Sequence, residues 1–415
     1  MNSWLYSDRD RPRVLVTGGG VAGLEACLLL RAFVTADDVD IELLSPNLRF
    51  SYRPLSVLDS FGEDRTWSMP LDRFAADQDL HLVHDTLGEV LPSERVAVTT
   101  SGVRRPYDAL LVAIGARPTP ALPGALTFQG STDAPTLRRM LDDAAARLRP
   151  RIVFAVGTNT SWSLPLYELA LLTAADLRTR GAHSELTLVT PEATPLELFG
   201  SRASTVVARM LDEHDITVIC NAAPLAAEEG LLHMVDGRSI GADHVVALPR
   251  VAGRFIAGLP HDGAGFIPVD DHGRVDDTEG VYAAGDITTF PFKQGGLATQ
   301  QADAAAEAIL ADLGLAIEPR PFSPVLQGVL YSDGEPAYLR TPLGDGAAPA
   351  STPRAYSLWW PPSKIAGRFL SSYLTVRAGA PRAPEVRPSA DVVPVRIDIS
   401  EALELATQPS GTGSS

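Results

Sequence analysis

Short apolar runs alternate along this chain with longer amphipathic or alanine-rich stretches, the rhythm of strands packed between helices. Residues 13–16 (RVLV) form one such run, which stops at Thr17 and a triple glycine before a helical pattern begins. Further strands are predicted at 39–44 (VDIELL), within 108–118 (DALLVAIGARP) and within 280–286 (GVYAAGD). The last of these leads into PFKQGGLATQQADAAAEAIL (291–310), a glycine-containing turn and a long helix opening near Gly296. Between them lies a second series: a strand at 151–157 (RIVFAVG), a helix at 165–178, and strands at 186–190 (LTLVT) and 215–220 (DITVIC). The pattern is that of an α/β protein with two strand–helix–strand units.

The first unit carries chemistry. In VLVTGGGVAGLEAC (14–27), Gly18, Gly20 and Gly23 stand in G-x-G-x-x-G spacing between a strand and a helix. Gly18 permits the tight turn, Gly20 lets backbone approach a pyrophosphate, and Gly23 lets the helix lie close on the strand. Val21 and Ala22 open a helix whose free N–H groups and partial positive charge suit phosphates. The following strand ends in Ser45-Pro46 and lacks the usual carboxylate for a ribose hydroxyl, so Ser45 or a main-chain group has to take that contact. Asp286, after a strand and beside Gly285, suits a ribityl hydroxyl. The helix near Gly296 would aim its N–H groups at the flavin edge where negative charge gathers on reduction.

The second unit has the same architecture and a different loop. It reads Gly157-Thr158-Asn159-Thr160-Ser161-Trp162-Ser163-Leu164, with one glycine and about four residues more than a dinucleotide loop needs. Pro165 fits a first helical position. The loop lacks the glycines that would let a pyrophosphate lie on the backbone, so its fingerprint does not support NAD(P)H. Glu192 stands near the place of a ribose acceptor and reads equally as a solvated loop carboxylate.

The order GGGVAGLEA, ALLVAIGARP, VYAAGD and a glycine-opened helix resembles the FAD-dependent pyridine nucleotide-disulfide oxidoreductase superfamily over residues 13–310. The resemblance implies two Rossmann-like dinucleotide-binding domains, the second inserted in the first, plus a smaller C-terminal domain. The implied boundaries are 1–118 and 265–318 for the FAD domain, 119–264 for the insert, 319–385 for an interface domain and 386–415 for a tail of disordered composition. FAD contacts are expected at Gly18, Gly20, Val21, Ala22, Gly23, Ser45, Ala113, Gly115, Gly285 and Asp286. Within the superfamily, Pro165, Tyr167 and Glu168 after a lengthened loop are similar to sulfide:quinone oxidoreductases, as is PFKQGG (291–296), which places Lys293, Gln294 and Gly296 at the flavin. LLSPNLRFSYRPL (43–55) resembles these enzymes and type II NADH dehydrogenases, putting Arg53 and Pro54 near the isoalloxazine ring.

Those sulfide enzymes work through paired cysteines beside the flavin. This chain has only Cys27 and Cys220, and Trp162 stands where one of the pair would be. Without a thiolate there is no nucleophile for a thiol mechanism. Two distant cysteines make neither a disulfide framework nor a zinc site, and no metal is expected. Tyr52, Trp162, Lys293 and Trp359 are the candidates for the pocket walls.

Composition narrows the partners. A formal charge of −16 repels nucleic-acid phosphates and anionic lipid. No apolar run reaches the ~18 residues of a spanning helix, and the polar start MNSWLYSDRDRPR does not resemble a secretory signal; a cytoplasmic protein is expected. In LWWPPSKIAGRFL (358–370), Trp359 and Trp360 with Lys364 and Arg368 either make weak peripheral membrane contact or pack within the protein. Three functions remain: electron transfer from a small donor through FAD to a quinone-like or protein acceptor without a redox disulfide; an NAD(P)H-dependent reductase; and a non-catalytic flavin-binding regulatory or interaction protein.

Overall fold

The architecture, taken from a computed structural model, is described for residues 11–62, 67–158, 160–343, 354, 357–359, 361 and 363–377. Two parallel five-stranded sheets organise the chain. The first runs in the order Val281–Ala283, Ala109–Val112, Arg13–Thr17, Asp40–Ser45, His81–His84. Its strands are apolar on both faces, as a parallel sheet covered on both sides requires: Val14, Leu15, Val16, Leu110, Leu111 and Val112 are all fully buried.

The strand at Val281–Ala283 pairs with Ala109–Val112 although more than 160 residues separate them in sequence. The second sheet occupies that interval, in the order Leu126–Thr127, His244–Ala247, Arg151–Ala155, Glu185–Val189, Ile216–Ile219. All five strands lie between residues 126 and 247, and each sheet has a central strand that runs into a glycine loop and then a helix: Arg13–Thr17 into Val21–Phe33 in one, Arg151–Ala155 into Leu164–Thr179 in the other.

Helix Val21–Phe33 packs beside helix Gly295–Asp312 beneath the first sheet. Small residues make the close approach workable: Ala22, Ala26, Ala298, Ala302 and Ala305 are all buried. The carboxyl third supplies an antiparallel hairpin, Val325–Leu330 with Ala337–Pro342, and then a strap, residues 363–377. Most of the predicted 341–354 loop, Trp360 and the 386–415 tail lie outside the described residues. Among the described residues no helix is long and apolar enough to cross a membrane.

Candidate active site

The first glycine loop is shaped by contacts that only glycine permits. Gly18 has φ +113°, and a Cβ there would lie 2.2 Å from the Ala113 carbonyl oxygen. One at Gly23 would lie 1.9 Å from the Gly18 carbonyl oxygen. Gly20 faces open space and caps helix Val21–Phe33 without a side-chain bond, so the first N–H groups are free to meet a phosphate. Gly115, in the left-handed region at φ +65°, also borders open space. Ser45 lies under this loop, but its hydroxyl donates to the Asn47 carbonyl at 2.9 Å and accepts from the Asn47 N–H at 3.2 Å. The side chain is thus engaged within its own turn.

Asp286 sits in a single turn, Gly285–Ile287, at the end of the Val281–Ala283 strand. Its carboxylate is half-buried on the wall of the cavity, and accepts no hydrogen bond from any other described residue. Burial raises its pKa above the ordinary carboxylate value, while Lys293 and Arg53 pull it back. A partly desolvated acceptor with no protein donor, facing a cavity, is placed to meet a donor on a bound group. Lys293 lies 4.0 Å from the Phe266 ring centroid and donates to the Thr288 carbonyl. Burial lowers it to about 8, against the pull of Asp286. Gln294 caps the next helix by accepting from the Leu297 N–H at 2.9 Å, and donates to the Gln327 carbonyl at 3.0 Å. The open glycine loop, the donorless Asp286 and this helix N-terminus together fit an FAD.

A cavity of about 290 Å³ joins these parts. Arg53, Pro54, Asp286, Lys293 and Gln294 line one side of it, and Thr160 and Trp162 come from the long loop after Arg151–Ala155. Val329 and Ile365 close it from the carboxyl third. Of the four aromatic and lysine wall candidates, the structure brings Trp162 and Lys293 to the lining. Tyr52 and Trp359 stand behind it. The Tyr52 hydroxyl accepts from the Ile365 N–H at 3.0 Å, which turns the ring inward to hold the strap. Trp359 packs edge-on against Tyr338 at 5.4 Å and donates to the Ser363 carbonyl at 2.9 Å.

The sequence did not single out the cavity's most unusual feature. Lys364 Nζ reaches both oxygens of Glu168, at 2.5 and 2.6 Å, with both side chains buried. The Tyr331 N–H also donates to Glu168 at 2.9 Å, and the Tyr331 ring centroid lies 4.4 Å from the ammonium. Burial raises Glu168 and lowers Lys364, driving each toward its neutral form, while their contact opposes both. Glu168 was visible only as the end of a Pro-x-Tyr-Glu motif; its partner lies 196 residues on.

Glu192, at the insert's ribose position, is neither free nor merely solvated. It accepts from the Tyr167 hydroxyl, from Ser163 Oγ at 3.1 Å and from Thr190 Oγ1 at 2.8 Å. Burial and the Glu192 charge push Tyr167 well above its ordinary value, so it stays a donor. Trp162 stacks edge-on against Phe199 at 5.9 Å in the same loop region. Neither cysteine lines the cavity: burial pushes the Cys27 thiol up to about 12, and burial with Glu192 and Glu197 raises Cys220. Both are held as thiols. Among the described residues no three His, Cys, Asp or Glu side chains gather as a metal site.

The family model described as pyridine nucleotide-disulphide oxidoreductase matches residues 13–308. A sulfide-quinone reductase of Aquifex aeolicus (strain VF5) is 25% identical over 227 residues, 52% of each chain. The chain thus spans about half the length of that curated relative. The crystal structure of the sulfide:quinone oxidoreductase from Aquifex aeolicus superposes with a TM-score of 0.74 at 20% identity, covering 83% of this chain and 86% of that one. An NAD-dependent persulfide reductase from A. fulgidus gives 0.59 at 18% identity, over 80% and 64%. The putidaredoxin reductase of a covalent complex with putidaredoxin gives 0.59 at 18%, over 81% and 82%. At these identities the structural matches establish a shared fold.

Proposed function

Because the chain belongs to the pyridine nucleotide-disulphide oxidoreductase family and is a flavin oxidoreductase of it, we propose that it carries electrons from a small donor to a quinone-like acceptor without a redox disulfide. The observation that carries this reading is the buried Glu168–Lys364 pair in a thiol-free cavity beside the flavin residues.

FAD, when bound, supplies two-electron transfer that no side chain here can perform. This chain's own residues do the rest. Gly18, Gly20 and Gly23 would cradle its pyrophosphate, and Asp286 would accept from a ribityl hydroxyl. Arg53, Lys293 and the N-terminus of helix Gly295–Asp312 place positive potential where negative charge develops. A quinone reduced by two electrons also takes up two protons to become a quinol. Lys364 Nζ donates one of these to an acceptor oxygen, and Glu168 keeps the ammonium charged and aimed until then. The second arrives from solvent at the outer oxygen. Trp162, Leu164, Val329 and Ile365 give the cavity apolar surface beside its polar groups, which suits a planar, weakly polar acceptor.

The NAD(P)H reading finds less support. Glu192 already accepts three hydroxyl donors, and the loop before it carries one glycine. The FAD-loaded protein, photoreduced without oxygen, is expected to regain its yellow absorbance on mixing with a soluble ubiquinone analogue. NADH, NADPH and sulfide are each expected to leave the oxidised flavin band unbleached. Rapid bleaching by NADH or NADPH with no reoxidation by the quinone would overturn the proposal. Bleaching by sulfide would refute the thiol argument.

A further inference from the structure

The charged side chains around the cavity do not cancel. Its lining holds three cationic residues, Arg53, Lys293 and Lys364, and two carboxylates, Glu168 and Asp286. Lys364 is matched by Glu168 at 2.5 and 2.6 Å. Asp286 attracts both Lys293 and Arg53 and can offset only one of them. One positive charge is left over, in a chain whose formal charge is −16.

The surplus sits on Arg53. The residue is exposed, and among the described residues nothing forms a hydrogen bond or ion pair with it. Its backbone is well anchored. Tyr52 before it and Leu55 after it are buried, Pro54 follows it in the helical segment Arg53–Phe61, and the Tyr52 hydroxyl accepts from the Ile365 N–H at 3.0 Å. Of the residues lining the cavity, Arg53 and Gln129 are the exposed ones, whereas Leu164, Glu168, Val329, Lys364 and Ile365 are buried. The mouth therefore lies at Arg53, and a ligand bound for Lys364 passes the guanidinium. That group is a planar fork of five N–H donors, which matches a carboxylate.

Charge also decides which ligand bears the carboxylate. The donor meets the oxidised flavin, which is uncharged, and the acceptor meets the reduced one, where negative charge has gathered. An anion at Arg53 is attracted before reduction. Afterwards the flavin's own charge takes up the same positive potential and repels it. We propose that Arg53 is a binding residue for the electron donor, that this donor is a small organic carboxylate, and that the site holds it tightly only while the flavin is oxidised. Reduction then loosens the oxidised donor and clears the cavity for an uncharged acceptor. Only the existence of a small donor is taken from the proposed electron transfer, and no quinone is needed.

Benzoate and benzamide, alike in ring and size and different in charge, test this without turnover. Each is titrated into the FAD-loaded protein by calorimetry, first oxidised and then photoreduced without oxygen. Benzoate is expected to bind the oxidised protein about tenfold more tightly than benzamide, and to weaken about tenfold on reduction, while benzamide changes little. By linkage, saturating benzoate should lower the flavin's two-electron midpoint potential by about 30 mV, the equivalent of that tenfold ratio. Arg53→Gln should bind benzoate no better than benzamide, and Arg53→Lys should recover part of the preference, as a point charge without the fork. Affinities are taken per bound flavin, so any loss of FAD in a variant does not enter them, and the wild-type comparison needs no variant.

Equal binding of the two probes by the oxidised wild-type protein would overturn the proposal. So would benzoate binding that reduction leaves unchanged, or a preference for benzoate that survives Arg53→Gln, which would place the anion at Lys293 or Lys364. A flavin that quinone fails to reoxidise would remove the acceptor reading and leave the donor's class standing.

Discussion

The two strand–loop–helix units of this chain share a blueprint and differ in what fills the loop. At Gly18–Gly23 the space over the backbone is left empty by glycine, and the helix N-terminus has no side chain in front of it. At Gly157–Leu164 the same space is taken by Thr160, Trp162 and Ser163, and Glu192 beyond it is tied down by three hydroxyls. A dinucleotide site is largely an absence of side chains. Adding a few of them converts a binding loop into a wall for the neighbouring cavity.

The largest effect should come from filling the empty loop. Gly23→Ala places a methyl group 1.9 Å from a carbonyl oxygen, and the purified protein is expected to be colourless, measured as flavin absorbance per chain. If that variant stays fully yellow, the contrast between the loops is wrong. Next comes the wall's ion pair. Lys364→Met should lower quinone turnover by about 10²-fold as a lost proton donor. It should also cost about 3–5 kcal/mol by stranding Glu168 in the interior. Adding Glu168→Gln should restore most of the stability, read by urea unfolding, and none of the turnover. Recovery of both together would make the pair purely structural.

Smaller effects sharpen the comparison further. Glu192→Gln removes the charge that three hydroxyls serve, for about 1–3 kcal/mol. It should confer no reduction by NADH, because the loop stays filled; a gain of NADH bleaching would show that Glu192 alone closes the site. Ser45→Ala should leave flavin content unchanged and cost about 1 kcal/mol, since its hydroxyl serves Asn47. Loss of flavin in that variant would assign Ser45 the ribose contact after all.

The same contrast explains what the sequence could show. The first loop was legible because close backbone contacts force glycine at fixed spacing, and such positions are written in one residue type. The split of the first sheet around the insert was legible through the strand ending in Gly285-Asp286. Side-chain direction was not. Tyr52 and Trp359 have the bulk of wall residues, yet one turns its hydroxyl to the Ile365 N–H and the other packs on Tyr338. Glu192 read as a loop carboxylate because its donors Ser163 and Tyr167 sit 29 and 25 residues earlier. Glu168 and Lys364 meet only in three dimensions. The one signal for Lys364 was a basic side chain, beside Arg368, in a tryptophan- and proline-rich stretch, which fits a surface anchor equally well.

The strand at Val281–Ala283 has a consequence for how the molecule is made. Ala109–Val112 has an open edge until residue 283 has left the ribosome, whereas the second sheet already has all its strands by residue 247. The later-numbered half of the chain's architecture is therefore the first that can close, and the flavin sheet is assembled around it. The nascent protein spends that interval with one edge of a hydrophobic strand open, the period in which a holding chaperone or early cofactor capture would matter most.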